Sequence, residues 1–315
     1  MAKVVVMGSA TIDLFAELND PFSQCKSGCK ILVDELKYET GGGGTNVSVS
    51  LARLGIDVSF LGKLGSDQNS GHILEELSKE KVKVIPTKLS SKSTSFSVIM
   101  ESSKEEDRII YTYKGASNDL MLKDFSMRKV APEWLYIASM VEDSFKTAAA
   151  VAKHVKSKGG KVLFNPSEYL TKDPSKLKGI LKDTTVLVLN KREAQLLTNS
   201  RREVKGLAMD LLKMGPESIV ITQGKHGVTF FDNLMHLHVH SPHVKVVSTA
   251  GAGDAFSSTF LGALMREKPA IDALKLGVLN ATNVIQHRGA KNGLLKWNDL
   301  IALSKKKRLK SLKLE

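Results

Sequence analysis

Cysteine is scarce. The 315 residues hold only Cys25 and Cys29, and Cys-Lys-Ser-Gly-Cys has neither the Cys-x-x-Cys redox spacing nor enough ligands for a four-coordinate zinc ion, so both read as ordinary thiols. No apolar run reaches the length of a membrane span, and the opening Met1-Ala2-Lys3-Val4-Val5-Val6-Met7-Gly8 is too short for a secretory signal. A cytoplasmic protein with no membrane partner is expected. Three phosphate signatures are missing as well. No Gly-x-x-x-x-Gly-Lys-[Ser/Thr] run exists, and the Gly-rich loop of protein kinases with its downstream His-Arg-Asp set is absent. The dinucleotide fingerprint Gly-x-Gly-x-x-Gly fails at Gly251 and Gly253, because Phe256 stands at the third position. Neither a repeat of solenoid period nor a low-complexity segment occurs.

What is there is a globular composition, 42% hydrophobic and 25% charged, in a chain long enough for one large domain or two smaller ones. The formal charge of +13 suits anionic ligands. It is dispersed, however, apart from a tail run at Lys305-Lys306-Lys307-Arg308, Lys310 and Lys313. No aromatic residues interleave there as a single-strand binding platform requires, so a solvated final helix is expected and nucleic acid is not expected as a partner.

One stretch organises the rest: Val246-Val247-Ser248-Thr249-Ala250-Gly251-Ala252-Gly253-Asp254-Ala255-Phe256. A β-branched run leads in, two glycines break it, and an amphipathic helical pattern leads out. The spacing predicts a strand, a tight turn and a helix N-terminus. Such a terminus presents unpaired N–H groups at the positive end of the helix dipole, and the glycines let a ligand approach the backbone, which makes an anion cradle. Asp254 sits in the first turn, either as a partner of the dipole or as a base beside a phosphoryl group.

Upstream, residues 3–8 read as a buried parallel strand that delivers Asp13 to the ligand edge of an open α/β sheet, where it is a turn cap or a ligand contact. Ile31–Tyr38 alternates like a half-exposed antiparallel strand. Gly41-Gly42-Gly43-Gly44-Thr45-Asn46 then enters a helix that stops at Gly55, which points to a backbone facing a substrate. Two strands flanking a charged turn, 94–101 and 108–113, form a hairpin; with 14–40 they make a small sheet inserted twice, as a lid. From Gly115 onward short apolar strands alternate with helices, which indicates a parallel sheet covered on both faces.

Asn190-Lys191-Arg192-Glu193 opens a helix after a strand. The pair three apart forms a reciprocal N-cap or orders a hydrated magnesium ion. Thr222-Gln223-Gly224-Lys225-His226-Gly227 is a plain hairpin turn or a nucleotide-facing loop. His236, His238 and His240 share one strand face, a metal set or an exposed hairpin face.

These pieces, in this order, resemble the ribokinase (PfkB) family of sugar and nucleoside kinases over nearly the whole chain. The most specific are Gly41–Asn46 with Ala52-Arg53-Leu54-Gly55, and Thr249–Asp254 with Phe256; Gly62–Asp67, Asn190–Glu193, Thr222–Gly227 and Asn280-Ala281…Gly289-Ala290 follow in family order. The resemblance implies an α/β fold, a three-layer α/β/α sandwich with a mostly parallel central sheet and a small β-sheet lid. The core would be 1–13, 41–92 and 116–315, and the lid 14–40 and 93–115. It implies an ATP-dependent sugar kinase in which Asp254 takes the proton of the attacking hydroxymethyl group and Ala250, Gly251, Ala252 and Gly253 form the anion hole. Asp13, Gly42, Gly43 and Asn46 would hold substrate hydroxyls, with Arg108 and Lys114 near the lid. Asn190, Thr222, Gly224, Gly227, Asn280 and Asn283 would lie along the nucleotide, and Glu193 with Asn190 would order Mg²⁺ through water. Ser248 stands where the family's monovalent-cation site has an acid, so potassium is not carried over. The alternatives are a nucleoside kinase with Phe96, Ile110 and Tyr113 as base wall, a phosphosugar kinase, and a non-catalytic sugar- or nucleic-acid-binding protein. Exposed lid edges make a homodimer through the lid plausible.

Overall fold

The computed structural model describes residues 2–24, 26–105 and 107–313; Cys25, one of the two thiols, lies outside them. The chain opens with β1 (Val4–Met7), β2 (Thr11–Leu18) and β3 (Glu35–Gly41), then α1 (Gly43–Arg53), β4 (Val58–Leu61), α2 (Gln68–Lys79), β5 (Lys83–Val84), β6 (Ser95–Ser102) and β7 (Asp107–Tyr113). An alternating stretch follows: β8 (Trp134–Ile137), α3 (Glu142–Ser157), β9 (Lys161–Phe164), α4 (Glu168–Thr171), α5 (Pro174–Lys182), β10 (Val186–Asn190), α6 (Lys191–Thr198), α7 (Val204–Lys213) and β11 (Ser218–Thr222). The hairpin β12 (Val228–Phe231) and β13 (His236–Val239) leads to α8 (Ala252–Leu264), α9 (Ala270–Val284), α10 (Trp297–Lys306) and β14 (Ser311–Lys313).

Ten strands form one sheet in the order β14-β13-β12-β11-β10-β9-β8-β1-β4-β5. The run from β5 to β11 is parallel, and β12, β13 and β14 are antiparallel. β1 shows why these strands read as unbroken apolar runs: Val4 and Val6 pack on one face with α1, α8 and α9, while Val5 and Met7 pack on the other with α3, α5 and α7. Each fully buried residue of this kind gains ~1.5–3 kcal/mol, enough to offset the ~1–2 kcal/mol of backbone ordering even in a four-residue strand. The result is the expected α/β/α sandwich.

The second sheet has the order β3-β2-β6-β7, with β2 and β6 parallel and both outer pairs antiparallel. Four local expectations are corrected. Asp13 stands on β2 itself, paired with Glu39 and Ser97, rather than in a loop. The alternating stretch from Ile31 pairs only from Glu35, because β2 offers its last partner at Glu17, and Leu32 is 91% exposed. Val246 and Val247 form no strand: the Val247 and Ser248 amides share the Ile285 carbonyl, which leaves both valine side chains exposed. In the basic tail the helix ends at Lys306, and Ser311–Lys313 instead extends the large sheet beside β13.

Candidate active site

Two glycine turns far apart in sequence converge on Asp254. Gly251 caps α8 with φ +74°, a conformation that L side chains resist, and a Cβ there would lie 2.5 Å from the Ala290 carbonyl oxygen. No side chain caps this helix. Gly253, one residue into it, faces open space: a Cβ there would meet nothing within 4 Å. On the other side Gly42, with φ +93°, caps α1. That helix carries Asn46, whose amide Nδ2 donates to Asp254 Oδ2 at 2.9 Å. A Cβ on Gly43 would lie 3.6 Å from the other carboxylate oxygen. Burial pushes the Asp254 carboxyl up to about 6, although the Asn46 hydrogen bond and the Lys291 charge pull the other way. Asn46 Oδ1 is buried beside it with no hydrogen-bond partner.

The first turn of α8 is anchored from beneath. Ser257 Oγ donates to the Gly253 carbonyl at 2.7 Å and meets the buried Tyr136 hydroxyl at 2.6 Å. Burial and the nearby Asp254 charge push the Tyr136 phenol well above its usual range, so it stays protonated. Ser258 Oγ donates to the Asp254 carbonyl at 2.6 Å. None of these three was singled out in the sequence.

Asp254 borders a cavity of about 390 Å³ under the second sheet. Asp13, Ser97 and Thr112 face it as one row across β2, β6 and β7, because Asp13 pairs with Ser97 and Ser97 with Thr112. Burial raises the Asp13 carboxyl and lowers the Lys114 ammonium, which also lines the cavity. Gly42, Gly43, Asn190 and Glu193 add to the wall, and Pro166, Tyr169, Val188 and Leu189 give it an apolar part. Phe96 and Tyr113 pair directly opposite each other on the reverse face of the sheet, and Ile110 is half exposed outside the cavity, so the base wall expected for a nucleoside does not form. Arg108 does not line the cavity either. Its guanidinium donates instead to Thr249 Oγ1 at 3.3 Å, joining β7 to the turn before α8.

A second cavity, of about 340 Å³, opens on the far side of the α8 N-terminus. Thr222, Gly224 and Gly227 line it, with Val246, Phe256, Val278, Ala281 and Ile285 as apolar wall. The exposed valine at 246 is thereby explained. Thr222 and Gly253 border both cavities, so the two meet at the anion cradle. Asn280 and Asn283 are not part of it. α9 turns residues 278, 281, 282 and 285 to the cavity, and the 3.6-residue period sends 280 and 283 elsewhere. Asn280 is fully buried, donating to Thr259 Oγ1 at 2.7 Å and accepting from the Leu295 amide at 3.0 Å, and Asn283 donates to the Gly293 carbonyl.

Asn190 and Glu193 form the reciprocal cap: Asn190 Oδ1 accepts from the Glu193 amide at 2.9 Å and Glu193 Oε2 from the Asn190 amide at 2.8 Å. Burial, joined by the Glu168 charge, lifts the Glu193 carboxyl to about 7. The capping role is therefore realised, and both residues still border the substrate-side cavity. Of the three strand histidines, His238 and His240 meet edge to face with ring centroids 4.6 Å apart, but the three form no metal set. His236 stacks on Phe231, His238 bonds Thr229 Oγ1 at 2.9 Å, and no group of three or more metal-ligating side chains occurs among the described residues. Asp67 of the Gly62–Asp67 motif caps α2 and accepts from the Thr94 amide and hydroxyl at 2.6 and 2.7 Å, fastening the start of β6. No helix among the described residues is long and apolar enough to cross a membrane.

Residues 1–297 match the family model described as pfkB family carbohydrate kinase. The chain is similar to a fructokinase from Salmonella typhimurium, 29% identical over 273 residues that span 84% of each protein. It is similar to a ribokinase from Bacillus subtilis at 28% over 307 residues, 95% of this chain and 98% of the other. In fold it resembles a ribokinase of Arabidopsis thaliana complexed with ribose and ATP, with a TM-score of 0.83 and 23% identity over 96% of this chain and 98% of that one.

Proposed function

The chain belongs to the pfkB family of carbohydrate kinases, phosphotransferases with an alcohol group as acceptor, and from that premise we propose an ATP-dependent sugar kinase with Asp254 as its base. The observation that carries this reading is the position of Asp254, partly buried where the two cavities meet, with an unpartnered acceptor, Asn46 Oδ1, beside it. A hydroxymethyl group lodged there gives its proton to Asp254 as its oxygen bonds to the γ-phosphorus. The bond from phosphorus to the bridging oxygen breaks, and ADP leaves. In such a transfer positioning and charge stabilisation supply most of the catalysis. The uncapped backbone of Ala250–Gly253 stabilises the transferred group, and the empty space over Gly253 is the cradle that a side chain would fill. The nucleotide lies along Thr222, Gly224 and Gly227.

Mg²⁺ fits at Asn190 and Glu193, where a half-buried carboxyl group with only one capped oxygen borders the cavity; the ion would neutralise charge on the phosphate oxygens. With Ser248 in place of an acid, potassium is given no part. Asp13 and the Ser97–Thr112 row take sugar hydroxyls. A neutral sugar is favoured over a nucleoside because the row Asp13, Ser97 and Thr112 is polar and Phe96 and Tyr113 face away, which leaves Tyr169 as the one aromatic side chain on the wall among the described residues. It is favoured over a phosphosugar because Asp13, Glu193 and Asp254 outnumber Lys114 in the cavity. The second sheet, with 14–40 and 93–115 and joined by Thr11–Asp13, acts as the lid. Its reverse face exposes Leu36, Tyr38, Ile109, Tyr111 and Tyr113, a surface that a second copy of the chain covers. ADP release measured across pentoses, hexoses, phosphosugars and nucleosides tests the reading. The highest kcat/KM should fall on an unphosphorylated sugar, and a nucleoside as best acceptor would overturn it.

A further inference from the structure

The segment after α9, residues 288–292, touches nearly every part of the site without lining either cavity. Arg288 pairs with Glu17 of β2 at 2.9 Å. The Ala290 backbone packs against Gly251 in the anion turn. Asn292 Nδ2 donates to Glu39 Oε1 at 3.2 Å, while Lys291 Nζ donates to Thr40 Oγ1 at 2.6 Å. Glu39 and Thr40 are neighbours on β3 and point to opposite faces, so the segment grips that strand from both sides, directly before it becomes the glycine turn. From α1, Arg53 donates to the Lys291 carbonyl at 2.8 Å.

Lys291 is the centre of this grip. Its side chain is only 8% exposed and its ammonium pairs with Glu76 of α2 at 2.6 Å. A buried ammonium is expensive unless it is compensated, and one carboxylate partner plus one hydroxyl is thin compensation. Burial accordingly holds the Lys291 ammonium below its usual range, while the charges of Glu76, Asp13 and Glu39 pull the other way; in turn the Lys291 charge pulls the Asp254 carboxyl down.

We propose that Lys291 is a positioning residue for phosphoryl transfer, which seats the glycine turn against Asp254 and supplies the buried positive charge that balances the site's carboxylates. The ionisable groups around it are Asp13 and Glu39 from the second sheet, Glu76 from α2 and Asp254 from α8, with Arg53 of α1 already paired to Glu80. The proposal rests on Asp254 as the base. The two fail separately: retained turnover in Asp254→Asn unseats the base, whereas an unmoved sugar KM in folded Lys291 variants unseats the positioning role.

The test uses Lys291→Met with Glu76→Gln, a double variant that leaves no orphaned charge and so should fold, together with Thr40→Val. In the double variant the KM for sugar should rise at least tenfold, kcat should fall less, and the acid limb of kcat/KM should move to higher pH, because Asp13 and Asp254 lose a compensating charge. Thr40→Val should raise KM and leave the limb in place, since it releases the turn but keeps the charge. A folded double variant with KM within twofold of the parent and an unmoved limb overturns the proposal. If the double variant does not fold, an unchanged KM in Thr40→Val overturns the seating role.

Discussion

Replacing Asp254 by Asn should make the enzyme slower and the protein more stable. The carboxyl is raised from its ordinary 3.8 to about 6, chiefly by burial. A lift of about two pH units corresponds to ~3 kcal/mol of preference for the neutral form. The folded chain therefore binds the proton more tightly than the unfolded chain. The penalty for holding the anion is full above the folded value and disappears as pH falls below the ordinary carboxylate range. Asparagine keeps an oxygen to accept from Asn46 Nδ2 and carries no charge. At pH 8 the substitution should recover part of the ~3 kcal/mol, which for a chain of this size raises Tm by roughly 2–5 °C. At pH 4.5, between the ordinary and the folded values, the penalty is down to about a third, ~1 kcal/mol, so the gain should shrink in proportion. Turnover should meanwhile fall ~100- to 10,000-fold, the range for loss of a positioned base. Thermal melts at the two pH values and a coupled ADP assay measure both. A variant that is no more stable at pH 8 refutes the burial argument, and one with near-parental kcat refutes the base.

Asn46→Ala removes the hydrogen bond that holds the carboxylate down, worth ~1.5–3 kcal/mol for a charged acceptor, so the acid limb of kcat/KM should rise from about 6 by one to two pH units; an unmoved limb counts against the pairing. Gly253→Ala should leave Tm unchanged or slightly higher, because a Cβ there meets nothing and helical alanine is favoured by up to ~1 kcal/mol, yet it should weaken ATP kinetics at least tenfold by occupying the phosphate cradle. Normal kinetics in that variant would remove the cradle from the mechanism. Under the proposed pairing of two copies through the apolar face of the second sheet, where Tyr111 is 62% exposed, the parent should sediment as a dimer and Tyr111→Glu as a monomer; a monomeric parent, or a variant that still dimerises, removes that interface.

The parallel sheet was legible because its signal is local: short apolar runs such as Val4–Met7 and Val58–Leu61, each closed by a glycine and with alternate side chains in separate cores, admit few other readings. The two glycine turns were legible for the same reason, since only a turn with unusual φ or close approach explains Gly42 and Gly251. Lys291 was not. A lysine in a polar loop reads as solvated, and only the tertiary placement of Thr40 and Glu76 reveals it as buried. Tyr136 was hidden inside an apolar strand, where its ring accounts for its presence and its hydroxyl goes unremarked. Asn280 and Asn283 were assigned by resemblance alone; the helical period of α9, applied to Val278 and Ala281, separates them from the cavity. Val246 and Val247 have β-branched chemistry but no neighbouring strand, and strand propensity without a partner does not make a strand.

The second sheet carries a polar row and an apolar row on alternate residues of the same strands: Ser97 and Thr112 toward the cavity, Phe96, Tyr111 and Tyr113 away from it. Choice of sugar and choice of assembly are thus written on interleaved letters. Point substitutions can alter the cavity-facing row while the outward apolar row holds still, so the acceptor can diversify without disturbing the surface proposed to meet a second copy. A single-residue insertion in β6 has no such freedom. It turns every following side chain of β6 over, bringing apolar side chains to the cavity and polar ones to the outer face, and so changes both surfaces in one step.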